Sequence, residues 1–280
     1  MQKTAGWWAT MVAAVLVLGV VFWWLRPLQP QDEHALFQGV FYSAQQLPET
    51  SESRGLAHLV RIELETPGVW LYNTPLDSQA VAAGDQYGLS YTWWEARRQG
   101  LAVAINGTLF RGHSEWFLPG ETVRAVHTTI AAGEVSHRNA YTSMIWTDEE
   151  GTLHITPESP PPDQVVEEAI WGVGGLLLGR EASAGPHRAH VPSQRTLVGA
   201  NEDTQELWFA VFEDASHAAA WEVLQDAGAQ EAVVMDGGGS STLNLHRTAA
   251  TPRTGTLVGG WRPVATHVGV YAEPVPRSKW

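Results

Sequence analysis

The chain is 280 residues long, 44% hydrophobic and 17% charged, a balance that excludes disorder and supplies a packed core for one large domain or two small ones. Its 27 Gly and 16 Pro point to a loop-rich fold, and the absence of Cys excludes disulfides, thiolate metal sites and a cysteine nucleophile. A net charge of −13 at pH 7 argues against a nucleic-acid partner, which would be held by excess Lys and Arg.

Residues 7–25 (WWATMVAAVLVLGVVFWWL) carry no charge. As a helix rising about 1.5 Å per residue they would span close to the ~30 Å hydrocarbon core of a bilayer. Trp7 and Trp8 at one end and Trp23 and Trp24 at the other match the aromatic belts of a transmembrane helix. The run ends in Trp-Trp-Leu-Arg-Pro rather than in small residues, so it predicts an uncleaved anchor and not a signal peptide. Lys3, within residues 1–6, favours a cytoplasmic amino terminus and a single pass through the cell membrane, with the rest of the chain exported. Residues 26–55 read as a tether and loop, and residues 56–280 as the folded domain.

Residues 58–65 (HLVRIELE) alternate apolar and polar, the period of a half-buried strand. Residues 90–99 predict a helix stopped by Gly100, and LAVAIN (101–106) a buried strand. Short strands are expected near 123–130, 141–146 and 153–155. SPPPD (159–163) is a turn inside the domain. LWFAVF (207–212) is a strand covered on both faces. Ser216 caps a helix whose Ala220, Val223, Leu224 and Ala227 share one face, and Gly228 ends it. AVVM (232–235) is a second buried strand. Strand, helix, strand with short connections predicts a parallel pair joined by a right-handed crossover. The expected fold is therefore α+β: a mixed sheet with flanking helices, preceded by one transmembrane helix.

Asp236 stands at the carboxyl end of that second strand, where ligands gather in parallel sheets. Gly237, Gly238 and Gly239 follow, able to turn sharply and let N–H groups converge on an anion, and then come the hydroxyls of Ser240 and Ser241. Arg195 and Thr196 open the strand RTLVGA, Arg262 enters the strand ending HVGVY, and Asn106 closes LAVAIN. The histidines are scattered. His187 and His190 are the weak exception, and nothing in the sequence calls for a metal or a cofactor.

Taken together, AINGTLF (104–110), WGVGGLLLGRE (171–181), QRTLVGANED (194–203), VVMDGGGSSTL (233–243) and RPVATHVGVY (262–271) resemble the phosphodiester glycosidase family. Its members include the mannose 6-phosphate uncovering enzyme and bacterial exopolysaccharide-associated proteins. The chain departs from the family pattern at Thr108 and Leu109, where a Gly and aromatics are usual, and near Thr266 and His267, where an Asn is frequent. The resemblance implies hydrolysis of the bond between C1 of an N-acetylglucosamine-like sugar and phosphate, in extracytoplasmic polysaccharide metabolism. It implies that Arg195 and Arg262 clamp the phosphate with the backbone and hydroxyls of residues 237–241. Asp236 would then face the anomeric carbon and Asn106 would orient sugar hydroxyls, with Thr196 and His267 in support. A module that binds phosphorylated glycan without turnover is the alternative.

Overall fold

Residues 207–212 are apolar without interruption because alternate side chains of their strand enter two different cores. Leu207, Phe209 and Val211 pack into one, and Trp208, Ala210 and Phe212 into the other. The computed structural model describes residues 29–112, 116–139, 143–157, 162–179, 190–246 and 255–275. In chain order the first strands are β1 (Gln31–Phe37), β2 (Val40–Gln46), β3 (Ser53–Glu63), β4 (Trp70–Asn73), β5 (Tyr87–Gly88), β6 (Val103–Asn106), β7 (Phe110–Arg111) and β8 (Thr122–Ala125). Next come β9 (Thr129–Ala131), β10 (Glu134–Val135), β11 (Ser143–Thr147), β12 (Leu153–Thr156), β13 (Trp171–Gly179) and β14 (Ser193–Asn201). The last are β15 (Glu206–Ala215), β16 (Glu231–Val234), β17 (Leu243–Leu245), β18 (Gly255–Val258) and β19 (His267–Tyr271). The helices are short: α1 (Ser78–Ala82), α2 (Thr92–Gln99), α3 (Asp163–Glu168) and α4 (His217–Asp226).

The large sheet runs β1-β2-β3-β15-β14-β16-β13-β11-β12, with β9 joined to β13 and β10 to β9. A second sheet runs β18-β17-β6-β19-β4, and β5-β8-β7 form a third. The main core lies between the first two: Val60, Val198 and Val233 of the large sheet meet Val103, Ile105 and Val268 of the small one. Helix α4 covers the outer face of the large sheet through Ala220 and Leu224, against Leu197, Trp208 and Val234. Helix α2 covers the outer face of the small sheet through Ala96, against Tyr72 and Ala104. Each large apolar side chain removed from water in these layers contributes about 1.5–3 kcal/mol.

The α+β expectation is corrected by this architecture. The described chain is mostly β, and every strand pair in it is antiparallel, so the sheet is not mixed. The strand-helix-strand unit exists as β15, α4 and β16, but β14 lies between the two strands and pairs with both. The reason is local. A turn at residues 202–205 joins β14 to β15 as a hairpin, and that pairing takes the edge of β15 before β16 can reach it. Residues 31–46, read from the sequence as tether and loop, form the hairpin β1–β2 at the sheet edge. The expected transmembrane helix at residues 7–25 lies outside the described residues. Among those described, no helix is long and apolar enough to cross a membrane.

Candidate active site

The backbone leaves the large sheet after β16 and enters the small sheet as β17, so residues 236–242 cross from one sheet to the other. The crossing is pinned on both sides: the Met235 N–H donates to the Thr196 carbonyl at 2.9 Å, and the Asp236 N–H donates to the Gly107 carbonyl at 3.0 Å. Residues Gly238–Ser240 form a single 3-10 turn, with Gly238 at φ +59°. Gly107 has no room for a side chain, because a β-carbon there would sit 2.2 Å from Thr266 Oγ1.

Asn106 is wholly buried at the end of β6 and ties the parts together. Its Nδ2 donates to the Asp236 carbonyl at 2.7 Å. Its Oδ1 accepts from Thr196 Oγ1 at 2.8 Å and from the Thr242 N–H at 2.9 Å. One amide therefore fixes β14, the Asp236 backbone and the far end of the glycine turn relative to one another.

Both arginines reach that turn. A β-carbon built on Gly237 would lie 3.4 Å from Arg195 Nη1, and one on Gly239 would lie 4.0 Å from Arg262 Nη1. Arg195 is anchored by Nε donating to the Ala215 carbonyl at 3.2 Å and Nη2 donating to the Val191 carbonyl at 2.8 Å. Arg262 is held instead by aromatic faces, its guanidinium carbon 4.0 Å from the Phe117 ring centre and 5.7 Å from that of Phe110. Its Nε is buried with no hydrogen-bond partner among the described residues, as is the hydroxyl of Ser241, whereas the Ser240 side chain acts on the Asp236 carboxyl.

Burial pushes the Asp236 carboxyl above its ordinary value of 3.8, an effect that Ser240, the Arg262 charge and the Gly237 N–H only partly offset. The Gly237 N–H donates to Asp236 Oδ1 at 3.0 Å. His267 lies apart from this chemistry. Its backbone pairs with Asn106, but its buried ring contacts Thr74 Oγ1 at 3.2 Å and the Ser90 carbonyl at 3.3 Å. Burial drops its pKa to about 4, against the opposing pull of Glu95. His190 pairs with Glu52 at 2.9 Å, and His187 lies outside the described residues. The structure thus brings Asn106, Arg195, Thr196, Asp236, Arg262 and residues 237–241 together and turns the His267 side chain elsewhere. Sequence reasoning missed Phe110 and Phe117 as the seat of Arg262. It also missed the Thr242 N–H as a ligand of Asn106 and Thr266 as the wall behind Gly107. Thr242 stood inside the quoted DGGGSST block, whereas nothing local marks Phe117, which is 145 positions from Arg262 in sequence.

A half-buried carboxyl, two guanidinium groups and a bare main-chain turn meet at the end of a two-sheet β-sandwich. A family model for phosphodiester glycosidase matches residues 99–271, and the chain belongs to that family of hydrolases. No curated protein matches the sequence. Among solved structures, the chain is similar in fold to the catalytic domain of zebrafish N-acetylglucosamine-1-phosphodiester alpha-N-acetylglucosaminidase, described as auto-inhibited by its pro-peptide. That match has a TM-score of 0.61 at 16% identity and covers 88% of this chain and 87% of that one. A hypothetical protein from Synechocystis matches with a TM-score of 0.54 at 13% identity, over 84% of this chain and 62% of that one. A protein from Burkholderia pseudomallei matches with a TM-score of 0.53 at 12% identity, over 77% and 74%.

Proposed function

We propose that the chain hydrolyses the C1–oxygen bond of glycosyl-1-phosphodiesters carrying an N-acetylglucosamine-like sugar. The observation that carries this reading is the meeting of Asp236, Arg195 and Arg262 at one glycine turn. A phosphate monoester is a good leaving group, so the catalytic demand falls on gripping the anion and stabilising positive charge on the sugar ring. Arg195 and Arg262 grip the phosphate, with the N–H groups of Gly238 and Gly239 and the hydroxyl of Ser241 adding donors. Asp236 faces the anomeric carbon as its carboxylate. The C1–O bond breaks with its electron pair leaving on the phosphate oxygen, and a water oxygen takes its place on C1 while its proton passes to the Asp236 carboxylate. Asn106 has both amide ends engaged, so it acts as a positioning residue that spaces Asp236 from the turn, and Thr196 acts through it.

The same reading places the domain outside the cytoplasm, tethered through residues 7–25 and acting on wall or capsule polymers. What supports this is the uncharged run with paired tryptophans at both ends and Lys3 before it. The experiment is incubation of the purified chain with N-acetylglucosamine-1-phosphodiesters. Release of free sugar that disappears in Asp236→Asn and in Arg195→Ala, with folding retained, supports the enzyme. Tight binding without turnover instead identifies a phosphoglycan-binding module.

A further inference from the structure

Away from the glycine turn, a cavity of about 810 Å³ opens beside β4. None of Asn106, Arg195, Asp236 or Arg262 lines it. We propose that this cavity is a second carbohydrate site, one that takes neutral sugar residues of a glycan chain. The choice of a glycan rests on the reading of the Asp236 site given above, whereas the cavity's chemistry stands independently of it.

The polar groups come first. Trp171 and Asn73 both line the cavity and are only 3% and 4% exposed. The Trp171 indole N–H has no partner among the described residues. Asn73 donates through Nδ2 to the Gly172 carbonyl at 2.9 Å and to the Ile130 carbonyl at 3.3 Å, yet its Oδ1 accepts nothing from the described residues. A buried donor or acceptor left unpaired costs about 1–3 kcal/mol. A sugar hydroxyl, which both donates and accepts, relieves such a pair. The apolar surface comes next. Trp70, also in the lining, is 65% exposed on β4, the strand that ends the small sheet. A flat indole packs against the C–H face of a pyranose.

Charge decides the ligand class. Glu65 and Glu150 line the cavity, and among the described residues no Lys, Arg or His does. A phosphate group is repelled here, the reverse of the arginine-flanked turn, so the ligand is neutral. The volume falls within the roughly 300–1,000 Å³ usual for sites that enclose small ligands. Strand β19 alone separates β4, beside the cavity, from β6, which carries Asn106, in the small sheet. A polymer held at the cavity raises the local concentration of its phosphodiester links at the turn.

The test is titration of the full chain with the neutral tetrasaccharide of N-acetylglucosamine, followed by saturation-transfer NMR, with inorganic phosphate as competitor. The expected result is saturable binding that phosphate leaves intact and that persists in Asp236→Asn. Trp70→Ala, at an exposed position the fold tolerates, weakens it about tenfold, equivalent to about 1.4 kcal/mol. Trp171→Phe, which removes the indole N–H and keeps an aromatic ring, also weakens it. Absence of saturable binding overturns the inference. So does binding that phosphate competes away, or binding that Trp70→Ala leaves unchanged. Turnover of diesters without this binding leaves the proposed activity standing, and binding without turnover removes the activity and keeps the site.

Discussion

At the scale of single residues, Asp236 is held at a cost to the fold. Its proton affinity is raised by burial, so over the window above the ordinary 3.8 the folded chain binds more protons than the unfolded one and stability falls as pH rises. Asp236→Asn is therefore expected to lower turnover by at least about 10²-fold while denaturation at pH 7 shows no loss of stability, and a small gain. Because the carboxylate is the working form, kcat/KM rises with pH along an acid limb whose midpoint lies above 3.8; a pH–rate profile checks this. Phe117 makes a second case. It is a non-glycine residue at φ +46° and stacks on Arg262. Phe117→Leu removes a cation–π contact of about 0.5–2 kcal/mol and is expected to raise KM several-fold with little change in kcat, while Phe117→Tyr restores the wild-type KM. Steady-state kinetics on one diester distinguishes the two parameters.

At the scale of elements, the sequence was readable where one strand or helix carries its own signal. The apolar run of β15, the Ser216 cap and Gly228 stop of α4, and helix α2 ending at Gly100 all stand where periodicity and capping put them. What periodicity does not carry is neighbour order. Nothing in RTLVGAN says that it will separate β15 from β16, because pairing is decided by the hairpin turn and by both covered faces together. Strand β1 was missed because QDEHALF is charged, as suits an edge; Glu33 there pairs with Arg61 of β3, which also pairs with Glu206 of β15. Of the site, Asp236, the glycines and both arginines were legible, and their spacing through Asn106 was not. Strand β19 carries a prediction of its own. The buried His267 titrates near 4 when folded and near 6.5 when not, so its contribution to stability is intact above pH 6.5 and is lost as pH falls toward 4. The loss is on the order of 3 kcal/mol, and urea denaturation of His267→Asn beside wild type at pH 7 and pH 5 shows whether that dependence disappears.

At the scale of the whole molecule, two antiparallel sheets are joined by a segment that passes between them at their common end, and the reacting groups gather where it crosses. Such a crossing is exposed to ligand yet rigid, because Asn106 and the Gly107 carbonyl hold it from the small sheet and Thr196 holds it from the large one. Gly107→Ala, which would drive a methyl group into Thr266, is expected to push β19 away from β6 at this end of the small sheet and abolish turnover; circular dichroism with an activity assay shows whether the fold or only the site gives way. The most direct test of the account is hydrolysis of an N-acetylglucosamine-1-phosphodiester in water enriched in oxygen-18, with the phosphorus spectrum of the product recorded. Cleavage at C1 predicts a phosphomonoester free of the label; label in the phosphate, or no product at all, contradicts it.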